Sequence, residues 1–379
     1  MIQKEYFGYH AIQNLETILK KYSVARIFLV TGKKSFAACG AEAIMQPVLS
    51  SYDTARFCDF EENPRIEDVM RGIEQFKKQR CDAVIAVGGG SAIDMAKLIT
   101  IFAEQDGSIE DYIMGQKKVA EKTRPLIAIP TTSGTGSEST HFAVIYKGKI
   151  KHSFAHKSLV PDVAIVDPQF TLTLPPYLTA TTGMDALSQA IESYWSIHST
   201  DESKGYAREA LVLVLAAFHD AVNNPSQEAR EKMSKAAHLA GKAINISKTT
   251  APHAISYAMT SYFGVKHGHA VGLTLGDMLI YNSEVGEGDV ADTRGVPYVK
   301  RTIDELNTYL GCANARASRT KIAALMNETG LKTNLTELGI TNEADINLIV
   351  DSVNLERMEN NPRTLTREVL KEMLLTLMK

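Results

Sequence analysis

Residues 82–97 have the sequence DAVIAVGGGSAIDMAK, in which an apolar run is followed by three glycines and then by a helix-like pattern. The run is continuous rather than alternating, which is typical of a strand covered on both faces of a parallel sheet. Glycines let a backbone approach a ligand, and the free amides of a helix start attract an anion such as a pyrophosphate. A tight turn is the alternative, because the spacing is not G-x-G-x-x-G. The candidate cofactor contacts here are Gly88, Gly89, Gly90, Ser91 and Asp94.

A second glycine loop, PTTSGTGSE at residues 130–138, follows another apolar run. Two such loops at strand ends of one sheet are where an open α/β sheet binds a dinucleotide. Together the loops favour a nucleotide site over two unrelated turns. Its further candidate contacts are Thr131, Thr132, Thr135 and Ser137.

Strand-like and helix-like segments alternate through the first half of the chain, whereas helical patterns dominate the second half. Alternation of this kind predicts a parallel sheet with helices on both faces. The change from alternating segments to helical patterns occurs at the turn Pro175-Pro176. We therefore expect an α/β dinucleotide-binding domain at residues 1–175 and an all-helical metal and substrate domain at residues 176–379.

The composition is that of an ordinary globular chain: 379 residues, 44% hydrophobic and 22% charged, with a net charge of -3. This balance gives no electrostatic reason to expect nucleic acid or a membrane surface as a partner. Four cysteines without C-x-x-C spacing indicate reduced thiols. The start of the chain has no apolar leader, and the longest apolar run, residues 211–218, is too short to span a membrane. We expect a cytoplasmic protein that acts on small molecules.

A possible metal site lies in the second half. Asp185 and Gln189 are four residues apart on a predicted helix, so their side chains share a face. His253, His267 and His269 cluster further along and could add imidazole nitrogens, a donor set suited to zinc or ferrous iron. A glutamine amide is a weak ligand. Histidines that are simply hydrogen bonded in the core are the alternative.

Four segments resemble the signatures of the iron-containing alcohol dehydrogenases, a family that includes glycerol dehydrogenase and dehydroquinate synthase: GGGSAIDMAK, PTTSGTGSE, MDALSQAIESYWS and HAISYAMTSYFGVKHG. The resemblance implies an α/β dinucleotide-binding domain with a parallel sheet followed by an all-α domain. It also implies metal ligands at Asp185, His253 and His267, with Gln189 where the family has a histidine. Three ligands still make a competent zinc site, and a metal-free member is the alternative.

The same resemblance implies a small aldehyde or alcohol as substrate, a nicotinamide cofactor and a divalent metal, Fe²⁺ or Zn²⁺, that binds weakly for want of the fourth ligand. His267 then belongs to the catalytic centre. Tyr257 stands where many members carry a histidine near the substrate. It is the candidate proton relay, with a water as the alternative.

The segment FLVTGKKSF predicts which cofactor is preferred. In family members that prefer NAD, an aspartate after this strand accepts the ribose hydroxyls. Here that place is Gly32, followed by Lys33, Lys34 and Ser35. No carboxylate repels a 2′-phosphate and two cations can pair with it, so we expect NADP(H) to be favoured over NAD(H). A solvated surface turn is the alternative.

Residues 146–158, YKGKIKHSFAHKS, concentrate lysines and histidines. Lys151 matches the family lysine that contacts the nicotinamide ribose. The pattern around this segment is most similar to the branch that reduces phosphonoacetaldehyde to 2-hydroxyethylphosphonate, a dianionic substrate class that needs cations and hydroxyls. A solvated hairpin is the alternative. The candidate substrate contacts are Ser139, Thr140, Lys149 and His152.

Other functions stay open at this point. A general short-chain alcohol or polyol dehydrogenase would use the same site. A dehydroquinate synthase-like cyclase would bind the same cofactor without net oxidation, and a non-catalytic nucleotide-binding relative would show no turnover. From the resemblance we also expect a homo-oligomer, with a dimer as the favoured form.

Overall fold

A computed structural model describes residues 3–148, 150–353 and 358–378. The chain divides into two compact units, Met1–Leu174 and Pro175–Lys379. The first unit contains a parallel sheet and helices, and the second is built of helices. The predicted fold class, an α/β domain followed by a helical one, is confirmed.

The first unit is organised by its strands, which we number along the chain. They are β1 Lys4–Phe7, β2 Arg26–Thr31, β3 Asp53–Phe57, β4 Ala83–Gly88, β5 Leu126–Pro130, β6 Phe142–Lys147, β7 Ile150–Ala155 and β8 Val163–Val166. Six of them pair in parallel in the spatial order β1-β8-β5-β4-β2-β3, and β6 and β7 form a separate antiparallel hairpin.

The strand order creates a switch point between β2 and β4. These strands are neighbours, yet the chain continues from β2 to β3 on one side and from β4 to β5 on the other. Crevices at the carboxyl ends of such strands are where open α/β sheets bind ligands. The loops that begin at Gly32 and Gly89 therefore flank the expected place for a ligand.

Helices cover both faces of this sheet. They are α1 Leu15–Lys21, α2 Ser35–Ala38, α3 Ala41–Leu49, α4 Ile66–Gln79, α5 Gly90–Phe102 and α6 Ile109–Ile113. Successive residues of β2 belong to two different apolar layers: Phe28 and Val30 pack in one, Ile27 and Leu29 in the other. Since side chains alternate across a strand, the sheet is buried on both sides, and its strands are continuously apolar for that reason.

The second unit packs around one long helix. Its described helices are α7 Pro176–Trp195, α8 Asp201–Asn223, α9 Gln227–Ser247, α10 Ala251–Phe263, α11 His267–Ser283, α12 Val296–Tyr309, α13 Ala315–Glu328, α14 Glu343–Ser352 and α15 Arg367–Thr376. Helix α7 contacts α8, α9 and α11 and is buried along most of its length. Among the described helices, none is both long and apolar enough to cross a membrane.

Glycines bring α11 close to α7. A Cβ atom on Gly268 would overlap the carbonyl oxygen of Thr181 and would lie 2.8 Å from Cβ of Asp185. One turn later, a Cβ atom on Gly272 would lie 2.7 Å from Cγ of Met184. Only glycine permits this approach, so the residue after His267 sets how near that histidine comes to α7.

Candidate active site

Three helices converge on a cluster of metal-ligating side chains. Asp185 lies in the middle of α7, His253 in the first turn of α10, and His267 at the first residue of α11. One ligand atom from each lies within 4.8 Å of those of the other two. Asp185 and His253 are buried and His267 is partly exposed, so the cluster opens on the side of His267.

The donor set fits a divalent cation. Oδ1 of Asp185 is buried and accepts no hydrogen bond from the described residues, although it lies 3.3 Å from Nε2 of His253. A buried carboxylate oxygen without a donor is costly, and a cation would satisfy it. One carboxylate and two imidazoles are ligands that zinc and ferrous iron accept.

Glu192 hydrogen bonds to a residue of this cluster, and the sequence analysis did not predict it as a site residue. It follows Asp185 by seven residues on α7, is fully buried, and its Oε2 accepts a hydrogen bond from Nδ1 of His253. Its Oε1 accepts from the amide and the hydroxyl of Thr250, at 2.9 Å each. The signal was available, because positions 185, 189 and 192 share one helix face.

The charges of the cluster shift the pKa values of its members. Burial lowers the pKa of His253, but the carboxylates of Glu192 and Asp185 outweigh burial and raise it to about 9. Burial raises the pKa of Asp185, yet the neighbouring His253 and the charge of His267 bring it below its usual value. Without a metal, the proton on His253 therefore compensates the two buried carboxylates.

Gln189 lies one turn after Asp185 and is buried beside it. Its side chain hydrogen bonds to the Asp185 carboxylate and helps to lower that group's pKa. At the position where the family has a histidine ligand, this chain therefore has an amide that contacts a ligand.

His269 does not join the cluster. Its Nε2 donates to the carbonyl oxygen of Lys332 at 2.7 Å, and its Nδ1 lies 3.4 Å from the hydroxyl of Tyr177. Burial lowers its pKa. The expectation that all three histidines could serve the metal is wrong for His269, because a helix turns the side chain two residues after His267 to the opposite side.

The ring of Tyr257 packs on His267, with the ring centroids 5.9 Å apart and the planes inclined by 21°. Tyr257 is partly exposed. Its position next to a ligand on the open side of the cluster agrees with the place expected for a proton relay.

In the first unit, the two glycine loops touch each other. A Cβ atom on Gly90 would lie 2.8 Å from Cγ2 of Thr135, and one on Gly89 would lie 3.2 Å from Oγ1 of Thr132. Helix α5 begins at Gly90, so its free N-terminal amides lie at this junction. The geometry is that of an anion site lined by backbone amides.

Two buried side chains of α5 hold the second loop in place. Oδ1 of Asp94 accepts from the hydroxyl of Ser137 at 2.5 Å, and its Oδ2 accepts from the amide of Val144 at 2.9 Å. The ammonium of Lys97 donates to the carbonyl and hydroxyl oxygens of Thr140 and to the carbonyl oxygen of Phe142, all at 2.9 Å. Both oxygens of Asp94 thus accept hydrogen bonds inside the unit, and its role as a cofactor contact stays a prediction.

Burial shifts the pKa values of both Asp94 and Lys97. It raises the pKa of the Asp94 carboxyl and lowers the pKa of the Lys97 ammonium to about 8. Ser139 is buried as well and donates to the carbonyl oxygen of Gly136 at 2.9 Å. The hydroxyls of Ser139 and Thr140, which we expected to face a substrate, therefore bond to their own unit. Thr131 is also buried within this loop.

The loop after β2 carries the residues expected to select the cofactor. Arg56 at the end of β3 donates to the carbonyl oxygen of Gly32 at 3.3 Å and to the hydroxyl of Thr31 at 2.9 Å. Lys33 pairs with Asp59 at 3.0 Å, and both side chains are exposed. Arg56 is a third cation at this loop, and only the pairing of β3 with β2 brings it there.

Three further predicted cofactor contacts have the following places. Lys34 and Ser35, which follow β2, are exposed. Ser91, in the first turn of α5, has a hydroxyl that accepts a hydrogen bond from the amide of Asn63 at 3.1 Å.

The basic hairpin, by which we mean the segment of residues 146–158, does not present all its basic side chains on one side. Lys149 lies outside the described residues. Lys151 and His152 are neighbours on β7, so their side chains point to opposite faces. The face of His152 is shared with Phe154, which packs on Phe102 at a centroid distance of 4.8 Å. Lys151 and His152 therefore cannot line the same side of the hairpin.

Comparison with known proteins identifies the family. Residues 3–168 match "Iron-containing alcohol dehydrogenase", and residues 179–378 match "Fe-containing alcohol dehydrogenase family, C-terminal". The chain belongs to the iron-containing alcohol dehydrogenase family and is an oxidoreductase. Enzymes of this family use NAD(H) and a divalent metal, for which the cluster of Asp185, His253 and His267 is the candidate ligand set.

Individual relatives act on several alcohols and aldehydes. The chain is 35% identical to the phosphonoacetaldehyde reductase of Streptomyces viridochromogenes over 309 residues, which are 79% of this chain and 77% of that protein. It is 31% identical to the NAD-dependent methanol dehydrogenase of Bacillus methanolicus over 367 residues, 95% of this chain and 94% of that protein.

Among solved structures, the sulfoacetaldehyde reductase from Bifidobacterium kashiwanohense in complex with NAD+ is similar, with a TM-score of 0.88 and 34% identity. The match covers 100% of this chain and 97% of that chain. The predicted family and enzyme class are thereby confirmed, and the relatives favour an oxidoreductase over a cyclase or a non-catalytic protein.

Proposed function

We propose that this protein reduces a small aldehyde to a primary alcohol, at a divalent ion held by Asp185, His253 and His267. The observation that carries the proposal is the convergence of these three side chains from three helices, two of them buried. When bound, the metal supplies a Lewis acid that polarises the carbonyl, and the reduced nicotinamide supplies the hydride.

The chain's own residues then have distinct tasks. Asp185 contributes the negative charge of the ligand set, and His253 and His267 contribute neutral nitrogens. Tyr257, packed on His267, holds a phenolic proton that the alcohol oxygen needs when the carbonyl carbon is reduced. The two glycine loops, one at the start of α5 and the other at residues 130–138, bind and orient the dinucleotide through backbone amides.

For the substrate we propose phosphonoacetaldehyde. Two of the relatives, a phosphonoacetaldehyde reductase and a sulfoacetaldehyde reductase, are named for two-carbon aldehydes with an anionic head group. A general short-chain alcohol dehydrogenase is the second candidate. It is favoured by the ion pairs of two hairpin cations, since Lys147 pairs with Glu110 at 4.0 Å and Lys157 pairs with Glu121.

An aldehyde panel tests the proposal. Phosphonoacetaldehyde, sulfoacetaldehyde, propanal and butanal are each supplied with NADPH or NADH to protein whose metal content has been measured. We expect one nicotinamide oxidised per alcohol formed and the highest kcat/KM with phosphonoacetaldehyde. Equal efficiency with butanal would leave the general dehydrogenase, and no oxidation of NAD(P)H with any of the four aldehydes would contradict the proposal.

We also propose that NADPH is preferred over NADH. Gly32 offers no carboxylate to repel a 2′-phosphate, while Lys33 and Arg56 lie at the same loop. Lys33 would exchange its exposed partner Asp59 for the phosphate.

The variant Gly32→Asp should reverse the preference, because its carboxylate repels the 2′-phosphate and accepts ribose hydroxyls. Since a Cβ atom here would overlap Oγ of Ser35, that hydroxyl must rotate in any variant. Gly32→Asn is the matched control, with the same shape and no charge. A wild-type preference for NADH, or identical ratios of kcat/KM in both variants, would contradict the proposal.

Two further expectations stay predictions. The four cysteines form no disulfide, which supports a reducing compartment such as the cytoplasm. A dimer is expected from the family resemblance, and light scattering on the purified protein would test it.

A further inference from the structure

We infer that Glu192 and Ser256 are positioning residues that select the tautomers of the two histidine ligands, so that each presents the lone pair of Nε2 to the metal. The inference rests on the proposed metal site. It assigns to these two residues a task that the ligands cannot perform themselves, because a neutral imidazole can carry its proton on either nitrogen.

Glu192 acts on His253. As a carboxylate, Glu192 can only accept hydrogen bonds. Its Oε1 accepts from the amide and hydroxyl of Thr250 at 2.9 Å and from the amide of His253 at 3.3 Å. Its Oε2 faces Nδ1 of His253, so the proton of the ring must sit on Nδ1. When a metal replaces the second proton of the ring, Nε2, which lies 3.3 Å from Oδ1 of Asp185, carries the lone pair.

The carboxylate is itself held rigidly. The hydroxyl of Thr250 has one proton, which it donates to Glu192, and it accepts from Nε1 of Trp195 at 2.8 Å. Glu192, Thr250 and Trp195 are all buried. The orientation of the His253 ring therefore depends on a fully bonded chain of side chains rather than on packing alone.

Ser256 acts on His267 by a similar restriction. Its hydroxyl has a single proton, which it donates to the carbonyl oxygen of His253 at 2.7 Å. The same oxygen lies 3.2 Å from Nδ1 of His267. Since its proton is already used, the Ser256 oxygen can only accept, and Nδ1 of His267 must donate. The lone pair of His267 is again left on Nε2.

The variant Glu192→Gln separates this task from simple packing. Its amide oxygen would be drawn to the donors of Thr250, which places the NH₂ group against Nδ1 of His253. Two donors cannot face each other, so Nδ1 must become the acceptor and the ring proton must move to Nε2. The variant keeps the shape of the side chain and reverses the tautomer, whereas Ser256→Ala removes the acceptor for His267 and the donor to the carbonyl oxygen of His253.

The experiment measures zinc affinity of metal-depleted protein by competition with a chromophoric chelator, and reads the tautomers by nitrogen NMR of ¹⁵N-histidine protein loaded with zinc. For wild type we expect Nδ1–H on both ligands. Loss of such outer hydrogen bonds typically weakens metal binding by about 10–100-fold, and we expect this for Glu192→Gln and a smaller loss for Ser256→Ala. The matched control is Ser188→Ala, which removes a buried hydroxyl that donates to the carbonyl oxygen of Met184 and should leave zinc affinity unchanged.

The outcomes separate the inference from the proposed function. Zinc affinity of both variants within twofold of wild type, or zinc-bound wild type with Nε2–H on either ligand, overturns the inference. A wild-type protein that binds zinc as expected but reduces no aldehyde contradicts the proposed function and leaves the inference standing. If Glu192→Gln does not fold, the wild-type tautomers and the affinity of Ser256→Ala decide.

Discussion

The candidate metal site of the helical unit and the basic hairpin of the α/β unit are both rich in polar side chains. They differ in whether those side chains converge and in how deeply they are buried. In the cluster, side chains from three helices converge and are held by a second layer of buried groups. In the hairpin, neighbouring residues point to opposite faces, and Lys147 and Lys157 pair with exposed glutamates.

The difference shows what converts a concentration of polar residues into a site. An exposed ion pair contributes about 0–1 kcal/mol, because water competes with it. A buried carboxylate such as Asp185, with an oxygen that accepts no hydrogen bond from the described residues, destabilises the folded protein unless a cation binds there. We therefore expect large effects from changes in the cluster and small ones in the hairpin.

The largest effect is expected from removal of a ligand. Asp185→Ala and His267→Ala should each lower zinc affinity by more than about a hundredfold and abolish turnover, because two remaining ligands compete poorly with water. A chelator should inactivate wild type, and added zinc or iron should restore it. Elemental analysis of an active wild-type enzyme that contains no metal would refute this expectation.

Next in size is the close approach of α11 to α7. In Gly268→Ala, the new Cβ atom would overlap the carbonyl oxygen of Thr181, so the helices must separate. Overpacking of this kind costs about 1–3 kcal/mol, which should lower the melting temperature and weaken metal binding. Gly205→Ala in α8 is the control, since its Cβ atom would meet nothing within 4 Å and should stabilise the helix. Equal melting temperatures for both variants would contradict the packing argument.

A smaller gain is expected at Gln189. In Gln189→His, an imidazole replaces the amide one turn after Asp185, and a fourth ligand should strengthen the binding of iron more than that of zinc. Gln189→Ala should keep measurable metal, because the three ligands of the cluster remain. Metal titrations of the two variants and wild type test this; loss of all metal in Gln189→Ala would make the amide a necessary ligand.

The smallest effects are expected in the hairpin. Lys147→Ala and Lys157→Ala each break one exposed ion pair, so the free energy of unfolding should change by less than about 1 kcal/mol and metal content should not change. The ratio of kcat/KM for phosphonoacetaldehyde to that for propanal should stay within about twofold. A tenfold fall in that ratio, abolished by 1 M salt, would mean that the hairpin does bind the anionic head group and would remove the contrast with the cluster.

The sequence by itself determined the fold class and the family, and it predicted the three ligands. Strand-like and helix-like periodicities are local, so the parallel sheet and the helical unit could be predicted from the chain. Asp185, His253 and His267 were predicted as ligands from the family resemblance of the signature segments, and the structure brings their side chains together. The cofactor contacts around the glycine loops were likewise predicted from a local pattern, a strand followed by glycines and a helix start, and they stay predictions.

Only the tertiary structure decided which polar groups work together. His269 stands two residues from a ligand yet bonds to Lys332, and Glu192 was overlooked although it touches His253. Asp94 was predicted as a cofactor contact, and only the structure shows that both its oxygens accept hydrogen bonds from within its own unit. The physical reason is that burial forces each polar atom to find a partner, and the partner comes from whichever element packs against it, at any distance along the chain.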